Sequence, residues 1–375
     1  MALGVTLTFQ MLWALLLCLT IWCGTLLFLT FDLKDLPLIC LLLVAITAYF
    51  IGYAVSRPGV DAISLLFGVT LGKGVKFFLE SGNRKTENEN LSKIVNRKSA
   101  IENFLVGLVV LLAFASCWHL DATGAYHGPR WMGLWDNPNI YGMLMGVGLT
   151  LAIGLLIGRK KVISVILFIA AGMMGVGLFF SYSRGAWVGA AVGLLYLAKA
   201  HGKFKWRFVL PGVLVVAAVV FLFWHSTADT DQWYLKRLDL SRPSAQHRVS
   251  AWRGAVQMMR DYPLGVGWNK AVEIYDKNYS PPEGGAEAIT MNSYLMLGTE
   301  LGLPGLLCFV TYVRLSLRRK IDRLETYPTL ACRAGALVLL AAFWFDGGLF
   351  TLATASVFWI LLELGSVSKT ECRNR

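Results

Sequence analysis

KVISVILFIAAGMMGVGLFFSYSRGAWVGAAVGLLYLAKA, residues 161–200, is two apolar stretches joined by one abrupt polar turn. No charge falls between Val162 and Ser183. A helix of about 20 residues, rising about 1.5 Å per residue, crosses the roughly 30 Å hydrocarbon core of a bilayer. The chain therefore crosses at 162–181, turns at Ser181-Tyr182-Ser183-Arg184-Gly185, and crosses back at 185–199. One guanidinium is left at the membrane boundary, where it either snorkels as a helix anchor or meets an anion.

Working outward, similar runs occupy 12–30, 36–54, 103–118, 140–158, 208–225, 291–313, 329–347 and 352–366. The 375 residues are 56% hydrophobic and only 15% charged, well below the roughly 25% of soluble domains. The sequence thus predicts a single all-α polytopic membrane domain over 1–375, with one large polar loop, 226–290, inserted between spans. The first run lacks a basic leader and a small-residue cleavage site, so it is expected to be a retained span.

Charge sets the expected topology. Segments 82–99, 159–161, 199–207, 314–323 and the tail after Ser368 are rich in Lys and Arg, which places them in the cytoplasm. Segments 119–139, 182–184, 226–290 and 347–351 then face the other side. The long loop carries eight basic and eight acidic residues, and loops of that length cross regardless of charge. The stretch 60–79 contains Asp61, Lys73 and Lys76, so it is expected to lie at the cytoplasmic interface, giving ten spans. As an eleventh span it would put the N-terminus outside, and twelve is the upper bound.

The net charge of +12 is explained by these loops, without nucleic acid. Most of the seven cysteines lie inside apolar runs, so a disulfide framework is not expected, and no Cys or His pair has metal-ligand spacing. No repeat of fixed period divides the chain and the spans are nearly free of acids, which weighs against an ion-coupled transporter.

Chemistry is expected where polar groups meet one membrane face. Arg184 is flanked by Ser181 and Ser183, and the loop adds Lys236, Arg237, Arg242, His247, Arg248 and Arg253. Arg248 and Trp252 are four apart, hence on one face of a helix, which is either a solvated charged helix or a phosphate-binding one. Arginine forks match phosphate oxygens and can stabilise a departing diphosphate without a metal. The glycines of Asp261-Tyr262-Pro263-Leu264-Gly265-Val266-Gly267-Trp268 read as a structural turn. Asn292 heads the returning helix as an N-cap or a ligand group, near Tyr294. Glu300, two turns further in, needs a partner or a cavity. A last cluster, His127, Arg130, Asp136, Asn137 and Asn139 around Trp131, Trp135 and Tyr141, suits either sugar binding or an interfacial aromatic belt.

In this order the pieces resemble the O-antigen ligase and polymerase superfamily of bacterial envelope enzymes. The resemblance rests on GLWDNPNIYG (133–142), Ser183-Arg184-Gly185, RVSAWRGAVQMMRDYPLGVG (248–267), and Asn292-Ser293-Tyr294-Leu295 leading to Glu300, Gly302 and Gly305. It implies a GT-C-like fold in the bacterial inner membrane, with the large loop and the active site facing the periplasm. It implies an inverting, cofactor-free and metal-independent glycosyltransferase, moving a glycan from undecaprenyl diphosphate to a hydroxyl of a glycan or lipid A-core acceptor. Arg184 and Arg248 become the expected diphosphate binders. His247 and Glu300 join them as catalytic candidates, and Arg130, Asn139, Ser183, Arg253, Trp252, Asn292 and Tyr294 as substrate contacts. One position departs from the pattern: a histidine that ligases place before Asn292 is here Met291, whose thioether takes no proton. That shifts weight from lipid A-core ligation toward a polymerase or another glycan transferase of the same superfamily, and leaves open a chain that binds lipid-linked glycan without turning it over. A transporter or flippase of lipid-linked glycan is the reading of another class.

Overall fold

The structure is a computed structural model that describes residues 35–52, 60–81, 90–117, 130–135, 137–157, 161–201, 243–279, 292–318 and 327–366. The spans expected at 12–30 and 208–225 lie outside these residues. Among the described residues every regular element is a helix. In chain order they are α1 (Leu36–Gly52), α2 (Val60–Ser81), α3 (Asn90–Ser116), α4 (Pro138–Leu156), α5 (Lys161–Phe180) and α6 (Arg184–His201). After the long loop's first part come α7 (Pro243–Asp261), α8 (Ala271–Asn278), α9 (Ser293–Glu300), α10 (Gly302–Leu317), α11 (Tyr327–Ala342) and α12 (Leu352–Gly365). A single 3-10 turn, Gly348–Phe350, precedes α12.

Among the described residues, four stretches are long and apolar enough to cross a membrane: Asp61–Leu79, Ser99–Ser116, Pro138–Leu156 and Ile163–Phe180. α4 is the bundle's centre. It is buried along nearly its whole length, packed by α3, α5, α6 and α11. Small residues make this close approach possible, as they do between membrane helices generally: Gly193 of α6 lies against Val338 of α11, and Gly72 of α2 against the backbone of Trp359 in α12.

α2 does not have the interfacial placement expected from its charges. It packs along α12, and its two lysines are paired with carboxylates inside the protein. Lys73 Nζ lies 2.5 Å from Asp35 Oδ1 and 3.2 Å from Glu363 Oε2, and its ammonium sits 5.6 Å from the centre of the Tyr312 ring. Tyr312 donates its hydroxyl to Glu363, and Lys76 lies 3.4 Å from the same carboxylate. A buried charge is tolerated only when paired, and here the pairing comes from the starts and ends of four different helices.

The same contacts reverse α1. Asp35, at its start, shares an end of the bundle with Lys73 and Glu363. Ala45 and Ala48, further along it, accept hydrogen bonds from the indole and the backbone of Trp268 at the opposite end. The ten-span reading puts Asp35 on the other side from Lys73, and in the structure the two share one end of the bundle.

The expected span 291–313 is broken in two. α9 ends at Glu300, and Gly302 adopts φ +72° to start α10 in a new direction. Gly265, at φ +82°, lies against this break: Val266 N donates to Thr299 O, Gly267 N to Glu300 O, and Leu303 N to Pro263 O. A Cβ on Gly302 would stand 2.5 Å from Gly265 N. Gly302→Val is therefore expected to lower stability by about 1–3 kcal/mol from backbone strain alone, read as a fall in melting temperature in detergent.

Candidate functional site

At the end of the bundle away from Lys73, the polar turns converge on residues 343–350. α5 ends in Ser181-Tyr182-Ser183, with Tyr182 at φ +50°. Ser181 Oγ donates to Leu178 O (2.7 Å) and accepts from Ser183 N (3.2 Å). Ser183 Oγ then accepts from Ala186 N, so this hydroxyl caps α6. Arg184 is the first residue of α6 and is exposed. Unsatisfied amides and the helix dipole already favour an anion there, and its guanidinium adds a full charge.

Arg130 is buried against the same turn. Its Nε donates to Ser181 O (2.8 Å) and its Nη2 to Asn139 Oδ1 (2.8 Å). Asn139 Nδ2 in turn donates to Asp346 Oδ2 (2.7 Å). Arg130, Asn139 and Asp346 thus form a fixed relay across one rim of the site. Asn137 caps α4 by accepting from Asn139 N, which orients that relay from below. Trp131 stacks on Phe180 at 4.6 Å and closes its outer side.

The other rim is the start of α9. Asn292 Oδ1 accepts from Tyr294 N (3.0 Å) and Leu295 N (3.1 Å), the N-cap read from sequence. Its Nδ2 is buried with no partner. Ser293 N donates to Phe343 O, Ser293 Oγ donates to Asp346 O, and Leu349 N donates to Ser293 Oγ. Tyr294 OH donates to Leu340 O (2.6 Å). α9 is therefore stitched to 343–350 by both backbone and side chains. On the α6 side, a Cβ at Gly185 would fall 2.6 Å from Phe345 Cβ, so Arg184 stands directly beside this segment.

α7 supplies the cover. Trp252 meets Trp344 with ring centroids 6.0 Å apart, and Trp344 meets Tyr294 at 5.5 Å. Arg253 is exposed on α7. α7 carries residues 247 and 248, but the side chains of His247 and Arg248, like Met291, His127 and Asp136, lie outside the described residues. α8 braces α7: Tyr279 donates to Asp261 Oδ2 (2.6 Å), a bond that pushes its phenol up to about 12.

Glu300 does not join this group. It is 2% exposed, sits at the α9–α10 break against the 265–268 turn, and is electrostatically coupled to Asp61 of α2. Eight residues of helix, about 12 Å, separate it from Asn292. Two residues that the sequence reading passed over do belong: Asp346 and Trp344, both within the expected span 329–347. The helix stops at Ala342, and the available signal was Phe345-Asp346-Gly347-Gly348, an acid and two glycines closing an apolar run. Among the described residues no three of His, Cys, Asp and Glu cluster as a metal site would require.

These features define a polytopic helical membrane protein whose arginines, amides and aromatics meet at one end of the bundle. The family model for O-antigen ligase matches residues 165–310, from α5 into α10, and this match supports membership of the O-antigen ligase and polymerase superfamily. Arg184, Arg248, Asn292 and Glu300 fall inside the matched segment, whereas Arg130, Asn139, Trp344 and Asp346 fall outside it. No curated protein sequence matches the chain.

Proposed function

We propose that the chain transfers a glycan from an undecaprenyl-diphosphate-linked donor to a hydroxyl acceptor, at the periplasmic end of the bundle in the bacterial inner membrane. One observation carries the reading: an exposed arginine at a helix N-terminus, Arg184, stands beside a half-buried relay, Arg130-Asn139-Asp346, and the capped start of α9. A diphosphate leaving group needs fixed positive charge and donors where its own charge develops. Arg184 and the α6 amides supply that charge, with Arg248 added from α7. α7, within the long loop, covers the site, and the lipid tail stays in the bilayer.

The proton of the attacking hydroxyl needs an acceptor. Met291 cannot take it, and Glu300 is too far from the start of α9 to act there. Asp346 is the carboxylate that the rim presents, and it is the acceptor in this reading. The thioether at 291 also favours the polymerase form of the reaction over ligation to lipid A-core.

Reconstituted vesicles test the proposal against transport. Labelled lipid-linked oligosaccharide should yield a new glycosidic bond, at an unchanged rate in a chelator, because arginines replace the metal. Movement of the label across the bilayer with no new bond would instead establish a flippase.

A further inference from the structure

Trp344, Trp252 and Tyr294 come from three separate elements, the 343–350 segment, α7 and α9, yet the Trp344 ring lies 6.0 Å from that of Trp252 and 5.5 Å from that of Tyr294. Trp344 is 47% exposed, an open indole face at the centre of a site otherwise tightly bonded. Beside it are two buried donors without acceptors. Trp252 Nε1 is one, and Asn292 Nδ2 is the other, on a residue with no exposure at all. Asn292 adjoins Ser293, whose amide donates to the carbonyl of Phe343, the residue before Trp344. Buried donors are rarely left unmatched, and a bound hydroxyl is one way to match them.

We infer that Trp344 is a sugar platform: a pyranose ring lays its C–H face on the indole, flanked by Trp252 and Tyr294, and its oxygens accept from Asn292 Nδ2 and Trp252 Nε1. This rests on the glycan-transfer reading and deepens it. It divides the site by chemistry, with diphosphate on the Arg184 side and carbohydrate on the Trp344 side. Phosphate would not select this corner, because what is open there is an aromatic face and neutral donors. A ring with an apolar face and hydroxyl edges matches both.

Equilibrium binding tests it, using the full chain in lipid nanodiscs with three radiolabelled probes: undecaprenyl diphosphate, undecaprenyl-diphosphate N-acetylglucosamine, and free N,N′-diacetylchitobiose. The unaltered protein should bind the sugar-bearing lipid or the disaccharide, and Trp344→Ala should weaken that binding about tenfold while bare undecaprenyl diphosphate binds as before. Trp344→Phe, which keeps a ring, should retain most of it. Loss confined to the lipid-linked sugar assigns the platform to the donor, and loss confined to the disaccharide assigns it to the acceptor. Equal weakening of bare and sugar-bearing lipid overturns the inference. So does an unaltered protein with no preference for sugar, or a Trp344→Ala protein in which only the melting temperature changes, as for an indole of the membrane's aromatic belt. Failure of transfer with sugar preference intact would remove the enzymatic reading and leave the platform standing.

Discussion

Arg184→Ala is expected to abolish glycan transfer, by about 100-fold or more, while the protein still inserts and accumulates in the membrane. The magnitude follows from removing one cationic donor from an anion whose charge develops as the diphosphate leaves. Arg184 is exposed, and the turn that carries it is held by Ser181, Ser183 and the packing of Gly185 on Phe345, none of which uses the guanidinium. Loss of activity would therefore report binding and not folding. Arg184→Lys keeps the charge but loses the planar fork, so it should recover only part of the rate. Arg248→Ala on α7 should behave alike. The measurement is product formation by purified protein from a lipid-linked donor, with the membrane fraction quantified in parallel. Unchanged product from both alanine variants would end the diphosphate assignment.

Lys73→Met should be the most destabilising single change at the opposite end, costing about 3–5 kcal/mol, because it leaves Asp35 and Glu363 as buried carboxylates short of a cation. Lys76, 3.4 Å from Glu363, offsets part of this. The double variant Lys73→Met with Glu363→Leu should be more stable than Lys73→Met alone, since one of the two uncompensated carboxylates is removed. Melting temperatures of the three proteins in one detergent decide the matter. A Lys73→Met protein as stable as the unaltered one would return α2 to the interface, in contact with water.

The membrane class, the helical content and the capping role of Asn292 were legible from residue pattern alone, because a bilayer forces about twenty apolar residues per crossing and amide caps act locally. α2 was not. A charge count penalises Asp61, Lys73 and Lys76 individually, and it cannot see partners brought from Asp35 and Glu363 by tertiary packing. The α9–α10 break was missed for a related reason. Gly302 sits in an unbroken apolar run, and only the docked 263–265 turn explains its φ. Of the candidate site, Arg184, Arg130, Asn139, Trp252, Asn292 and Tyr294 are brought to one end of the bundle. Asp346 and Trp344 stayed hidden because hydropathy smooths over a short break at a helix end, and Glu300 was drawn in by depth when its surroundings are the turn below.

The pairing of α2 with α12 also bears on how the chain is made. Lys76 and Glu363 are 287 residues apart, so at roughly 5–20 residues per second the ribosome needs about 15–60 s between them. Through that interval Lys73 has only Asp35, made earlier, as its counter-ion. The cluster is therefore completed only when α12 arrives, and a chain ending before Glu363 would leave Lys76 without the carboxylate it pairs with.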